Sequence, residues 1–419
     1  MNNNKTETLK VLVNRGAYQK YGEYLPKSVV ARLKHESQLI AKKKLEGLFL
    51  FLHEMVEFAV NNNILLGPGR GFAASSIINY SLGITSIDPI EHDLVCERLF
   101  DAMETPQPRF PMMYIDVDYK QIDEIRNFII GKYNKKAAYV KDNDIDGNTT
   151  NSSICIVLTN KPFKEGMPVY TDENGSSYIT REFRESSAMP DHYFIKLIGQ
   201  KSLQVISGCL KIINKIRSEN LNLSLIPLDD AGTYRLLSKG KTKGISELDN
   251  PKIRKWLRKF KPGSINGLCV VYSLAGSYVD HSMEIKKYIY LKEKEKKIEV
   301  HPYFQPYLAD TCGMVLYQEQ VMRILNNIGN FSPKDSVEAM KDILKEKQDK
   351  IMVIRLKFLR STLKKSIMYD DSCGLFDDFL RANALSKSHY LPAVMILYWM
   401  AYLKTHYCNE FTKCVKNFS

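Results

Sequence analysis

The sequence predicts an α+β fold, and two patterns carry that reading. Apolar residues recur at three- and four-residue steps over long stretches, as one face of a helix requires. Three short runs rich in β-branched and aromatic residues interrupt them before residue 200, after which the helical period dominates to the end.

Taken in order, residues 1–25 are polar and read as a loose lead-in. From Pro26 to about Asn62 the residues Leu39, Leu45, Leu48, Phe49, Leu52, Met55 and Val56 keep helical spacing. A glycine-rich turn, Gly67-Pro68-Gly69-Arg70-Gly71, then opens into a second apolar helix expected over Ala73–Leu82. β-type runs follow at Met112–Tyr119, Ile154–Leu158 and Tyr193–Ile198, with turn residues from Asp142 to Ser153 after the first. Residues 26–200 are therefore expected as one α+β domain and 201–419 as a mostly helical one. In the latter, Ile253, Trp256, Leu257 and Phe260 share a helix face, while Lys252, Arg254, Lys255, Arg258 and Lys259 cover the rest. The stretch 285–299 is also densely charged.

Composition narrows the class. With 419 residues, 44% hydrophobic and 26% charged, the chain is long enough for large buried cores, which excludes disordered and fibrous proteins. Sixty Lys and Arg against 47 Asp and Glu give a formal charge of +13, which favours a polyanionic partner, nucleic acid before an anionic membrane surface. Eight scattered cysteines without a Cys-x-x-Cys pair point to neither a zinc site nor a disulfide framework, and suit the reducing cytoplasm. The opening MNNNKTETLK has no signal-peptide core, and the apolar run Tyr390–Leu403 is short of the ~20 residues a membrane helix needs. No membrane partner is expected.

Two motifs bear on chemistry. Gly67–Gly71 is neither a P-loop nor a Gly-x-Gly-x-x-Gly turn, yet glycines before a helix leave backbone N–H groups that attract phosphate oxygens. On a strand, Asp116 and Asp118 point to the same face, as paired carboxylates do around Mg²⁺ in phosphoryl transfer. Each is common by chance: taken alone, such glycines are more often a tight turn than a phosphate cradle, and an Asp-x-Asp pair binds metal in roughly one case in five. His35, His53, His92, His192, His281 and His301 have no partner at ligand spacing and read as structural or solvated.

In sequence order, these pieces resemble the bacterial DNA polymerase III alpha subunit, the C-family replicative polymerase. The likeness runs from about Tyr21 to Phe411. It is carried by GPGRGFAASSIINYSLGITSIDPIEHDLVCERLF at 67–100, YIDVDY at 114–119, KFKPGSINGL at 259–268, GMVLYQEQVMRI at 313–324 and SKSHYLPAVMILYWMAYLKTHYCNEF at 386–411. The resemblance implies a palm like that of polymerase-beta-type nucleotidyltransferases, followed by helical fingers. It implies nucleotide binding by Gly67, Gly69, Arg70, Gly71 and Arg98, and fingers residues Tyr317, Gln318, Glu319, Gln320, Lys387, Ser388 and His389. In isolation the fingers residues read as helix packing.

The same comparison exposes departures. The family strand reads Pro-Asp-x-Asp-x-Asp-Phe with its first two aspartates as metal ligands; here Tyr114 takes the first position and Asp116 the second, while Asp118 matches the non-catalytic third. The remaining ligand, in a Lys-Phe-Asp-Phe-Leu-Gly segment, is replaced by Lys196. An ammonium ~4 Å from Mg²⁺ costs on the order of 8 kcal/mol at an effective dielectric of 20. Phe72 stands in place of a serine after the loop arginine, Ala275-Gly276-Ser277 in place of Arg-Pro-Gly, and the family's paired arginines are not recognisable around Met340-Lys341. The family's thumb segment is expected to be skipped near 140–153, and its N-terminal phosphoesterase domain and C-terminal clamp-binding regions to be absent.

These readings converge on a catalytically inactive relative that binds DNA, another nucleic acid or a replisome subunit, with no cofactor, or Mg²⁺ at Asp116 if it is active. Lys196 is expected within ion-pair reach of Asp116 or Asp118, replacing the metal's charge. The alternatives are an active nucleotidyltransferase using Asp116, Asp118 and Glu97, or a structural assembly protein.

Overall fold

In the computed structural model, residues 2–102, 113–141, 153–159, 162–163, 168–173, 175–180, 192–217, 221–276, 280–293, 300–381 and 385–418 are described. The chain divides into two compact units, residues 1–92, 99–225 and 407–419 in the first, 93–98 and 226–406 in the second. The expected division at residue 200 thus differs from the one the packing makes, and the stretch expected to lack a thumb falls largely outside the described residues.

The first unit begins with α1 (Asn2–Tyr21), where a loose lead-in was expected. Its apolar stripe is narrow: Leu9, Val13 and Ala17 recur every fourth residue and are buried. Gly16 lets α1 approach closely, because a Cβ there would overlap the Ser81 carbonyl. The long helical pattern up to Asn62 is split into α2 (Lys27–Lys43) and α3 (Glu46–Asn61), because Lys44 takes the left-handed conformation at φ 56°. The helix expected at Ala73–Leu82 is also broken, into a 3₁₀ turn (Gly71–Ser75) and a short α4 (Ile77–Ser81). Ser76 breaks it: its backbone is extended, and its hydroxyl accepts from the Asn79 N–H as a cap.

Beyond α5 (Glu97–Ala102) comes the sheet: β1 (Met113–Asp118), α6 (Ile122–Tyr133), β2 (Ala137–Lys141), β3 (Ser153–Thr159), β4 (Tyr170–Thr171), β5 (Ser177–Thr180) and β6 (His192–Gln200). The order is β1-β6-β3-β2-β5-β4, with β1–β6 and β2–β5 parallel and the other pairs antiparallel. Ile115, Val117, Ile156, Ile195 and Leu197 share one face and are buried. Phe128 of α6 stacks on Phe58 of α3 at 4.0 Å, joining the helices of this unit. β6 runs straight into α7 (Lys201–Arg217), which packs along β1 and so stays with the first unit.

The second unit is helical: α8 (Ala231–Ser238), α9 (Pro251–Phe260), α10 (Ile265–Gly276), α11 (Ser282–Glu293), α12 (Gln305–Leu308), α13 (Gln318–Asn327), α14 (Pro333–Leu344), α15 (Gln348–Leu363), α16 (Tyr369–Arg381) and α17 (Lys387–His406). Its core gathers Phe304, Phe358, Phe376 and Phe379 around Leu325, Met340 and Ile351. The last helix, α18 (Cys408–Phe418), returns to the first unit and packs on α7, where Arg217 pairs with Glu410 at 2.9 Å. Among the described residues no helix is long and apolar enough to cross a membrane.

Candidate functional site

The glycine turn and β1 form one local structure. Leu66 bridges Val117, the Gly67 N–H donates to the Asp116 carbonyl at 2.8 Å, and the Asp118 N–H donates to Leu65 at 2.9 Å. The turn therefore lies along the free edge of β1. A Cβ on Gly67 would come within 2.7 Å of the Asp116 Cβ, too close without a shift, and one on Gly69 within 3.0 Å of the Thr85 methyl, a tight contact. Gly69 and Gly71 also hold φ of 131° and 56°, which side chains resist.

Asp116 is the centre of this arrangement. Its carboxylate is only 5% exposed, and one oxygen accepts from Arg70 Nη1 at 2.9 Å and from Gln200 Nε2 at 3.0 Å. Burial pushes its pKa up, while Arg70 and Gln200 pull it back down. Arg70 is itself 43% exposed, so solvent screens part of the attraction. Gln200 was not singled out from the sequence, yet strand alternation from Lys196 through Ile198 places it on the same face.

Asp118 shares that face but does a different job. It is buried, and its Oδ1 accepts the Lys120 N–H at 3.0 Å, shaping the turn out of β1. Tyr114 and Lys196, the residues at the two replaced ligand positions, are direct partners in the parallel β1–β6 register. The predicted ion pair of Lys196 with Asp116 or Asp118 does not form. The register sets Lys196 opposite Tyr114, two residues before Asp116, a step of about 6.6 Å along a strand. Arg70 reaches the carboxylate from the glycine turn instead.

This donor set fits a divalent cation poorly. A guanidinium and an amide already hold one oxygen of Asp116, an ammonium shares the face, and burial keeps the Tyr114 phenol protonated by raising its pKa. Among the described residues Asp116 belongs to no group of three close His, Cys, Asp or Glu ligands. Arg98, at the start of α5, groups with the second unit.

The residues named as fingers converge in the second unit, at the facing N-termini of α13 and α17. Glu319, 4% exposed, accepts from the Ser386 hydroxyl at 3.0 Å and from the N–H groups of Lys387 and Ser388 at 2.9 and 3.0 Å, capping α17. Gln320 Oε1 accepts from the N–H groups of Leu316 and Tyr317, and its amide donates to Thr311 Oγ1 at 2.8 Å. The Gln318 N–H donates to Leu385, His389 Nδ1 lies 3.0 Å from Ser386 Oγ, and Lys387 reaches Asp310 at 3.8 Å. Tyr317 is buried, which raises its pKa. This cluster is helix-end architecture.

The basic helix proves to be α9, with Ile253, Trp256, Leu257 and Phe260 buried as their spacing predicts. Its cations divide. Arg254 is held by Asp249 at 2.8 Å, Lys255 and Lys259 approach the Trp256 ring at 5.6 and 5.8 Å, and Lys252 and Arg258 are exposed.

An α+β unit whose glycine turn is clamped to a carboxylate-bearing strand, together with a helical unit, is the class these observations define. Residues 7–142 match the family model of the bacterial DNA polymerase III alpha NTPase domain, and residues 202–366 that of the bacterial DNA polymerase III alpha subunit finger domain. The DNA polymerase III subunit alpha of Aquifex aeolicus is 24% identical over an alignment covering 96% of this chain, and that of Staphylococcus aureus 25% identical over 91%. The chain belongs to the family of the bacterial DNA polymerase III alpha subunit. It spans 42% of the length of each of these relatives.

Proposed function

We propose that this chain is a catalytically inactive member of its family that acts in DNA replication by binding nucleic acid in the cytoplasm. Its first unit is a palm of the polymerase-beta type without a working metal centre, and its second unit is the fingers. The observation that carries this reading is the occupation of Asp116 by Arg70 and Gln200. An aspartate that serves two metal ions needs its oxygens free to face the ions. Here a tyrosine and a lysine stand on the neighbouring rung. The basic surface of α9, with the chain's charge of +13, supports affinity for a polyanion.

Primer extension with purified protein in Mg²⁺ or Mn²⁺, beside an Asp116→Ala control, tests the first half. The expected result is no incorporation in either. Incorporation that disappears in Asp116→Ala establishes an active transferase instead. Binding to labelled DNA that weakens steeply between about 50 and 200 mM salt supports the second half. A chain that binds no nucleic acid at low salt is left as an assembly protein.

A further inference from the structure

We propose that the groove between α9 and α11 binds an unpaired nucleic-acid strand, with Tyr290 stacking on a base and Arg258, Lys259, Lys261 and Lys286 holding the flanking phosphates. This rests on the nucleic-acid reading above and narrows it to a strand type and a set of contacts.

The groove has a volume of about 390 Å³ and is lined by those four cations, by Trp256, Ile289 and Tyr290, and by a single acid, Glu293. Such a cavity admits one nucleotide and is far too narrow for a duplex. Lys286 and Tyr290 lie four residues apart on α11, so they project side by side. Tyr290 is 54% exposed and lines this basic hollow. An open aromatic among cations is the combination that grips single strands: the ring takes a base face and the cations follow the phosphates. In a duplex those base faces are covered by their neighbours, so the tyrosine has nothing to stack on.

The walls are fixed before any ligand arrives. Phe260 stacks on Tyr288 at 5.0 Å, and Lys292 Nζ donates to the carbonyls of Phe260 and Lys261 at 3.1 and 2.8 Å, closing the C-terminal end of α9 against α11. Burial lowers the pKa of Lys292, consistent with a structural amine and not a phosphate ligand. Gly240, at φ 64°, makes room for Arg258, because a Cβ there would lie 2.7 Å from its Nε. Arg254, in contrast, is turned to Asp249 and contributes nothing to the groove.

Fluorescence anisotropy on the whole chain decides the matter, with labelled oligothymidylate and oligouridylate of about 20 nucleotides and a duplex of the same length. Tyr290→Ala is expected to weaken both single strands about 5- to 100-fold and to leave the duplex within about twofold. Tyr290→Phe, which keeps the stacking face, is expected to bind like the parent. Arg258→Ala is expected to reduce the slope of log affinity against log salt by about 0.7 on single strands. Unchanged single-strand affinity in Tyr290→Ala, or an equal loss on the duplex, overturns the inference while nucleic-acid binding itself stands. If the parent chain binds none of the three probes, the inference and the reading beneath it fall together.

Discussion

Two buried carboxylates, one in each unit, have opposite kinds of partner. Glu319 is satisfied by two backbone N–H groups and a serine hydroxyl at the start of a 20-residue helix. Asp116 is satisfied by two side chains, one of them a half-exposed arginine from a glycine turn. The backbone donors of α17 have no other acceptor to turn to, so Glu319 is a fixed part of the fold. Both partners of Asp116 are side chains, and Arg70 is 43% exposed, so the backbone does not fix the donors as it does for Glu319. The difference separates a carboxylate bonded into the backbone of the fold from one held by side chains alone. Glu36 repeats the first pattern in the first unit: it accepts from Arg32, the Ser76 hydroxyl and the N–H groups of Ile77 and Ile78.

The largest effect expected from this contrast is at Glu319. Glu319→Ala leaves buried N–H groups of α17 without an acceptor and is expected to cost about 3 kcal/mol. The chain's two tryptophans, Trp256 and Trp399, both belong to the second unit, so their fluorescence during urea unfolding reports that loss directly. A loss below about 0.5 kcal/mol contradicts the capping role. Next is Gly67→Ala, which drives a methyl against the Asp116 side chain and is expected to cost about 1–3 kcal/mol. Hydrogen exchange at the N–H of Gly67 and Asp118 should accelerate, since those bonds tie the turn to β1. Unaltered protection there means the turn can move away freely, and the close packing is not what requires glycine.

Much of this was legible in the chain. The three β-type runs became β1, β3 and β6, because apolar residues fill every second position, as Ile115 and Val117 do between Tyr114, Asp116 and Asp118. β2, β4 and β5 escaped notice: Ala137-Ala138 carries little strand preference, and β4 has two residues. Helix α1 was hidden because only Leu9, Val13 and Ala17 mark its buried stripe, and a glycine sits in its middle. At the site, Asp116 and Arg70 were each visible as motif residues, but their pairing was not. That pairing depends on the turn lying along the β1 edge, a contact between residues 46 apart. Lys196 failed as its partner for the same reason. A strand pattern tells which face a residue takes, and leaves open which rung of the neighbouring strand it occupies.

The smallest effect sharpens the comparison most, because its sign differs from that of ordinary ion-pair removal. Asp116 has a folded pKa above its unfolded value, with burial as the leading cause. The folded protein therefore takes up this proton more readily than the unfolded chain. Its contribution to stability is greatest below the ordinary carboxylate value of about 3.9 and is lost as pH rises through the raised one. Asp116→Asn removes that titration while its amide oxygen still accepts from Gln200. Arg70, being half-exposed, is left to solvent. The variant is expected to melt at the same temperature as the parent or slightly above it at neutral pH, with any advantage vanishing as the pH is lowered. Thermal melting across pH 3.5–7 checks this. A substantial drop in melting temperature at pH 7 means the Arg70 attraction outweighs desolvation, and Asp116 then joins Glu319 as a residue that the fold itself requires.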